Sequence, residues 1–92
     1  MNVNKIKKLV NDNCLVVAVI QDTTKPNVTL IWSTASIQGK DFLGWGYARY
    51  NPHDAAQGLP YNYDLGYAIA KGRAIKSIVQ QVITMAPALG LK

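Results

Sequence analysis

The 92-residue sequence fits one domain, residues 1–92, because a single core needs at least ~50 residues and divides only far above this length. Hydrophobic residues make up 49% of the chain and charged residues 16%, which is typical of a globular protein and excludes a disordered tail. Ten Lys or Arg against five Asp give a net charge of +5, which favours an acidic partner: nucleic acid, an anionic membrane surface or an acidic protein.

The chain carries few of the residues that catalysis or metal binding requires. Cys14 is the only cysteine and lies in an apolar run, where a buried, inert thiol is expected and no internal disulfide can form. His53 is the only histidine, and five scattered aspartates give it no positioned acid–base partner. We therefore predict a non-enzymatic protein with no cofactor, metal or small-molecule substrate. Without a membrane-span pattern or a signal-peptide pattern, we predict a cytoplasmic location.

The first two elements are predicted to be a helix and a strand. Apolar residues at helical spacing favour a short amphipathic helix over residues 3–10: Val3, Ile6, Leu9 and Val10. The run "CLVVAVIQ", Cys14 to Gln21, is rich in β-branched residues, and we interpret it as a strand that is buried on both faces and therefore central. "DTTKPN", with Pro26, is interpreted as the loop that follows.

Two further strands complete a predicted antiparallel meander. Val28–Thr34 alternates as a strand does, and residues 35–41 are predicted to connect it to the next strand with a bend at Gly39. The third strand, beginning at Phe42, has one nearly bare face and one aromatic face. The bare side carries Phe42, Gly44, Gly46, Ala48 and Tyr50, and the other side carries Leu43, Trp45, Tyr47 and Arg49.

A long helix is predicted after the polar loop at residues 51–62, beginning near Asp64 and ending at Pro87. Its apolar stripe is interpreted as Leu65, Ala68, Ile69, Gly72, Ile75, Val79, Val82, Ile83 and Ala86. The shallow patch at Ala68 and Gly72 is predicted to pack on the bare side of the third strand. The predicted fold class is therefore α+β, with the long helix across one face of a three-stranded antiparallel sheet.

Two sets of residues are candidates for partner binding. If the bare side receives the helix, Trp45, Tyr47 and Arg49 form an exposed platform on which bases or a protein could stack, and the alternative is that this side is the core. Basic side chains would add phosphate contacts if the two helices lie side by side: Lys5, Lys7, Lys8, Lys71, Arg73 and Lys76. For Arg73 a structural bond to the loop, for example to Asp54, is the alternative, and Tyr61, Tyr63 and Tyr67 are either contact residues or loop anchors.

The segments "GWGYARYNPHD" and "LGYAIAKGRAI" resemble a motif of small uncharacterised bacterial and phage proteins. The motif runs approximately G-x-G-x-A-x-x-N-P-x-D, then I/L-G-x-x-L/I-A-x-x-R-A-L/I, and it spans about a third of the chain, Gly44 to Ile75. The matching positions are Gly44, Gly46, Ala48, Asn51, Pro52, Asp54, Leu65, Gly66, Ile69, Ala70, Arg73 and Ala74. An actinobacterial branch of that group has a fold similar to the double-stranded-RNA-binding domain, which implies the same α-β-β-β-α order here.

The resemblance carries no activity with it, and the chain departs from true double-stranded-RNA-binding domains. Those domains have a lysine pair at the start of the last helix, where this chain has "DLGY". Our first hypothesis is a phage- or prophage-encoded protein that docks on a host protein or nucleoprotein complex in the host cytoplasm and inhibits it, an anti-CRISPR or other counter-defence protein being one form. The alternatives are a nucleic-acid-binding module and a homo-oligomer joined by sheet edges or by the aromatic face.

Overall fold

The computed structural model describes residues 2–22 and 27–91, and these have the predicted α-β-β-β-α layout. The elements are α1 (Val3–Asn13), β1 (Cys14–Asp22), β2 (Val28–Ile37), β3 (Lys40–Arg49), α2 (Pro52–Ala56) and α3 (Tyr63–Met85). The predicted loop with Pro26 falls largely on residues 23–26, outside the described residues. Of these elements, only α2, inside the predicted loop at 51–62, has no counterpart in the sequence prediction.

The strand order is β1-β2-β3, with both pairs antiparallel, so β2 is the central strand. The prediction that β1 is central and buried on both faces is therefore wrong. Leu15 is 64% exposed and Ile20 is 54% exposed, and Cys14, predicted to be buried, is partly exposed. The physical reason is that α3 lies over β2 and β3, which leaves β1 as an edge strand beyond the long helix.

The β2–β3 hairpin is tighter than predicted. The two strands run as far as Ile37 and from Lys40, so a two-residue turn replaces the expected connection over residues 35–41. Gln38 and Gly39 both have positive φ, 53° and 77°, the backbone conformation that two-residue hairpin turns use. The predicted bend at Gly39 is confirmed, although most of the connection is strand.

Helix α3 packs closely on the bare side of β3, as predicted. Gly44, Gly46 and Ala48 face the helix and are buried. A Cβ atom built on Gly44 would lie 2.6 Å from the Ala74 carbonyl oxygen, so the two backbones are in direct contact there. The predicted aromatic side of β3 consequently faces away from α3.

The helix surface that makes this contact differs from the predicted one. The buried small residues are Gly66, Ala70 and Ala74, and Ile78 and Val82 continue the same four-residue spacing. Ala68 and Gly72 are exposed, and a Cβ on Gly72 would have no neighbour within 4 Å, so their predicted packing role is wrong. Close approach of backbones selects small residues, whereas the prediction followed the large apolar residues Leu65 and Ile69, both of which are exposed.

Helix α1 packs on the same side of the sheet as α3, against α3 and β2. Its buried residues Ile6 and Val10 join a cluster with Val79, Val82 and Phe42. A second, smaller cluster contains Ile31, Ala48, Ala70 and Ala74, where α3 crosses the middle of the sheet. All helix–sheet packing in these two clusters is on one side, so no described residue forms a covering layer on the other side of the sheet.

Candidate functional site

The uncovered side of the sheet, here called the open face, is the main candidate site. Residues directly opposite each other in neighbouring strands point to the same side of a sheet. The strand register therefore places three rows of three residues on this side: Leu15, Thr34 and Leu43; Ala18, Trp32 and Trp45; Ile20, Leu30 and Tyr47. These nine residues define the open face. All of them except Thr34 have an aliphatic side chain or a largely apolar aromatic ring.

The aromatic side chains of the open face pack against one another. Trp45 and Tyr47 are 50% and 41% exposed, and their rings stack with centroids 6.1 Å apart and planes inclined by 17°. Trp32 lies 6.2 Å from Trp45 in a tilted arrangement and is half-buried beside it. Leu43 on the same strand is 54% exposed. The predicted Trp45–Tyr47 platform thus faces outward, and the alternative in which these rings are core is excluded.

Charged residues lie only at the two ends of the open face. Asp22 and Arg49 flank Val28 in the row beyond Tyr47, and Asp41 lies opposite Ser36 in the row beyond Leu43. Between them the nine open-face residues include no Asp, Glu, Lys, Arg or His. An apolar centre with a charged rim is the arrangement found in the buried cores of protein interfaces.

The predicted basic residues lie on the other side of the sheet. Lys5, Lys7 and Lys8 are exposed on α1, and Lys71 and Lys76 are exposed on α3. The two helices contact each other, as the phosphate hypothesis requires. However, both pack on the helix side of the sheet, so the fold brings the lysines into one layer and Trp45 and Tyr47 into another. Of the predicted cationic residues, only Arg49 lies on the same side of β3 as Trp45 and Tyr47.

Two α3 side chains bind the outer edge of β3. Arg73 donates a hydrogen bond from Nη1 to the Tyr47 carbonyl oxygen at 2.7 Å, and Gln81 donates one from Nε2 to the Leu43 carbonyl oxygen at 2.9 Å. The bond that Arg73 makes is therefore to β3 and not to Asp54, the partner suggested from the sequence. Both bonds occupy edge carbonyls that another strand would otherwise use.

Lys8 is the one predicted basic residue with an ion pair among the described residues. Its Nζ lies 2.7 Å from the Asp12 Oδ2, one helical turn away. This hydrogen bond and the charge of Asp12 raise the pKa of Lys8 above its ordinary value. Because both groups are exposed, the pair adds little to stability and engages one of the three charges that α1 could offer to a phosphate.

The three tyrosines before and within α3 have different surroundings. Tyr61 is a loop anchor, since its hydroxyl lies 2.6 Å from the hydroxyl of the fully buried Thr29 and above Gly66. Tyr63 and Tyr67 contact each other with centroids 6.3 Å apart. Tyr63 is 41% exposed, whereas Tyr67 packs on the smaller core cluster.

A shallow groove of about 270 Å³ lies where β3 ends and α3 begins, a feature that the sequence analysis missed. Its lining includes Arg49, Asp54, Pro60, Leu65 and Ile69. The sequence signal for this groove is the apolar pair Leu65 and Ile69, one helical turn apart, which the apolar pattern assigns to the packed stripe of the long helix. The volume is slightly below the ~300–1,000 Å³ typical of small-molecule sites.

Comparison with protein-family models, curated proteins and solved structures gave no match for this chain. The resemblance to small bacterial and phage proteins therefore stays a prediction from the quoted residues. Within residues 2–22 and 27–91, no group of three His, Cys, Asp or Glu residues could hold a metal ion. None of the described helices is both long and apolar enough to cross a membrane.

Proposed function

We propose that the protein is a small, non-enzymatic binding protein whose open face docks on an apolar surface of another protein. The observation that carries this proposal is the uncharged three-row centre of the open face, with Trp45 and Tyr47 half-exposed within it. Aromatic side chains are enriched in interface centres, and charged residues are depleted there. A partner with a matching apolar patch would bury the open face and leave Arg49 and Asp22 at the rim.

The extent of the open face supports this proposal. An aromatic side chain has about 150–250 Å² to bury, so Trp45 and Tyr47 at their observed exposure offer on the order of 200 Å² together. Leu15, Ile20 and Leu43, each more than half exposed, enlarge the patch to several hundred Å². Apolar patches of about 300–600 Å² are the largest on a typical monomer and are often functional.

Nucleic-acid binding is the weaker candidate because the two features it needs are separated. Stacking on Trp45 and Tyr47 requires cations beside the rings to hold the phosphates. The rings are on the open face, whereas Lys71 and Lys76 belong to the helix layer on the opposite side of the sheet. A strand of nucleic acid stacked on the open face would meet Arg49 and also the carboxylates of Asp22 and Asp41.

The test uses two tyrosines that are equally exposed. Tyr47 and Tyr63 are both 41% exposed and each lies against one aromatic neighbour, but only Tyr47 is on the open face. Wild-type protein, Tyr47→Ser and Tyr63→Ser would be immobilised separately and used to capture proteins from host extract with and without nuclease treatment. We expect a stoichiometric partner with wild type and Tyr63→Ser, and at least a tenfold lower yield with Tyr47→Ser.

Two outcomes would contradict the proposal. Equal capture by Tyr47→Ser and Tyr63→Ser would mean that the open face is not the docking surface. Loss of all capture after nuclease treatment, together with direct binding to RNA or DNA that falls steeply with salt, would instead favour the nucleic-acid alternative. Circular dichroism of both variants is needed first, to show that each is folded.

The narrower hypothesis concerns the partner and its source. A phage- or prophage-encoded protein that inhibits a host protein or nucleoprotein complex, as an anti-CRISPR or other counter-defence protein does, is consistent with small size and an exposed apolar face. The phage or prophage source and the role in counter-defence depend on the resemblance alone. Identification by mass spectrometry of a host defence component as the Tyr47-dependent partner would support it, and a partner unrelated to host defence would count against it.

A further inference from the structure

The outer edge of β1 has no neighbouring strand among the described residues. The strand is nine residues long, and Asp22 is its only charged residue. Natural edge strands are usually protected by lysines, prolines or a covering element, because unpaired N–H and C=O groups can pair with another strand. β1 contains neither lysine nor proline, and four of its apolar side chains are 40% or more exposed: Leu15, Val17, Val19 and Ile20.

The two edges of the sheet differ. On β3, Arg73 and Gln81 bind the carbonyl oxygens of Tyr47 and Leu43. Between Cys14 and Gln21 of β1, no backbone group receives a side-chain hydrogen bond from the described residues of α1 or α3. The α3 side chains therefore protect the β3 edge only. The β1 edge, which has the exposed apolar side chains, has no such protection among the described residues.

We propose that β1 pairs antiparallel with β1 of a second copy of this chain, which makes a continuous six-stranded sheet. A shift in register with β2 between Val16 and Ala18 leaves Ala18–Asp22 as the longest regular part of the edge. A two-fold axis beside Ile20 places each Ala18 opposite Asp22 of the other copy, and the two Ile20 side chains opposite each other. No like charges then lie opposite one another in the new pair.

A second copy fits this edge better than a free peptide does. A flexible peptide loses its conformational freedom when it binds, whereas β1 is already held extended by its pairing with β2. In the dimer both open faces lie on the same side of one sheet, because opposite residues in a strand pair share a face. This inference concerns the edge of β1 and does not depend on the open face having a partner.

The contact area sets the expected strength. With the axis beside Ile20, β1 pairs over the five residues Ala18–Asp22, an edge ~17 Å long and ~10 Å thick. Pairing therefore covers about 170 Å² per copy, far below the ~800 Å² per partner of a standard stable interface. We therefore expect a dimer that dissociates on dilution. In sedimentation, the average mass should rise from 10.1 kDa towards twice that value as the concentration increases from about 10 μM to about 1 mM, where dimers with a Kd in this range form.

The test of geometry uses two open-face residues that are both 54% exposed, Ile20 on β1 and Leu43 on β3. In a Cys14→Ser background, Ile20→Cys and Leu43→Cys would each be treated with a short thiol-specific cross-linker at high protein concentration. Opposite residues in an antiparallel pair have Cβ atoms ~4.5–5.5 Å apart. The two Leu43 positions would be more than about 24 Å apart, because five strand spacings separate them and Leu43 also lies in a different row from Ile20. We expect cross-linked dimer from Ile20→Cys only.

The outcomes separate this inference from the proposed function. A mass that stays at 10.1 kDa up to about 1 mM, a concentration at which even weak contacts form, overturns it. Cross-linking of Leu43→Cys as readily as Ile20→Cys, or of neither variant, also overturns it, since the copies then meet elsewhere or not at all. Tyr47→Ser should dimerise like wild type, so partner capture and dimerisation can fail independently.

Discussion

Replacement of Gly46 by alanine tests the packing on which the open face depends. The new Cβ would meet backbone and Cβ atoms of α3, with the Ala74 nitrogen at 2.5 Å and the Arg73 Cβ at 2.6 Å. None of these atoms belongs to the end of a flexible side chain that could move aside. Ordinary contacts begin near 3.4 Å, so the helix and strand must separate by almost 1 Å. Overpacking of this kind typically costs about 1–3 kcal/mol, and we expect Gly46→Ala at the upper end.

Gly72→Ala is the matched control because it adds the same methyl group to another glycine. The sequence pattern placed Gly72 in this interface, but the structure leaves it exposed. A Cβ on Gly72 would have no neighbour within 4 Å. Within a helix, alanine is more favourable than glycine by about 0.8–1.0 kcal/mol, so this variant should be more stable than wild type. The two substitutions are therefore expected to change the free energy of unfolding in opposite directions.

Urea unfolding followed by far-UV circular dichroism measures both changes. For a domain of this size each kcal/mol corresponds to about 4–8 °C in Tm, so Gly46→Ala should melt at least ~8 °C below wild type. If Gly46→Ala had the same free energy of unfolding as wild type and Gly72→Ala had a lower one, the packing of α3 on β3 would be refuted. Since side chains alternate along β3, that result would also remove the basis for an outward Trp45.

Three further predictions concern single side chains, each checked by the urea midpoint. Tyr61→Phe removes the hydroxyl partner of the buried Thr29, so it should cost about 1–2 kcal/mol. Ser33→Ala should raise stability by up to ~1 kcal/mol, because the buried Ser33 Oγ has no partner among the described residues; a loss would indicate an ordered water there. Trp45→Ser removes a ring that is half exposed, so it should cost about 1–2 kcal/mol, in contrast to ~3–5 kcal/mol for Phe42→Ala in the core.

The sequence predicted β3 well because its alternation is unambiguous. Glycines at positions 44 and 46 between bulky neighbours allow only one side to receive a helix closely, and α3 does so. The order of elements was also predicted, since turn-forming residues and apolar periodicity mark the helices and strands. These are local signals, and they do not depend on which element packs on which.

The placement of β1 and the rotation of α3 were not predictable from the same signals. "CLVVAVIQ" has the composition of a buried strand, but the long helix of the described residues, α3, covers the other two strands. On α3, small residues form the contact, and Gly66, Ala70 and Ala74 add little to an apolar pattern dominated by Leu65 and Ile69. In both places, a large apolar residue was taken to be buried, and the structure leaves it exposed.

The hydrogen bonds from Arg73 and Gln81 to β3 limit how far the sheet can grow. A sheet with two open edges can add copies indefinitely, head to tail, and such open association leads to fibres. Here a pair formed through β1 would present only β3 edges to the outside, and at each of those edges the carbonyl oxygens of Leu43 and Tyr47 already accept bonds from α3. Loss of these two side chains is therefore expected to convert a closed assembly into one prone to aggregation.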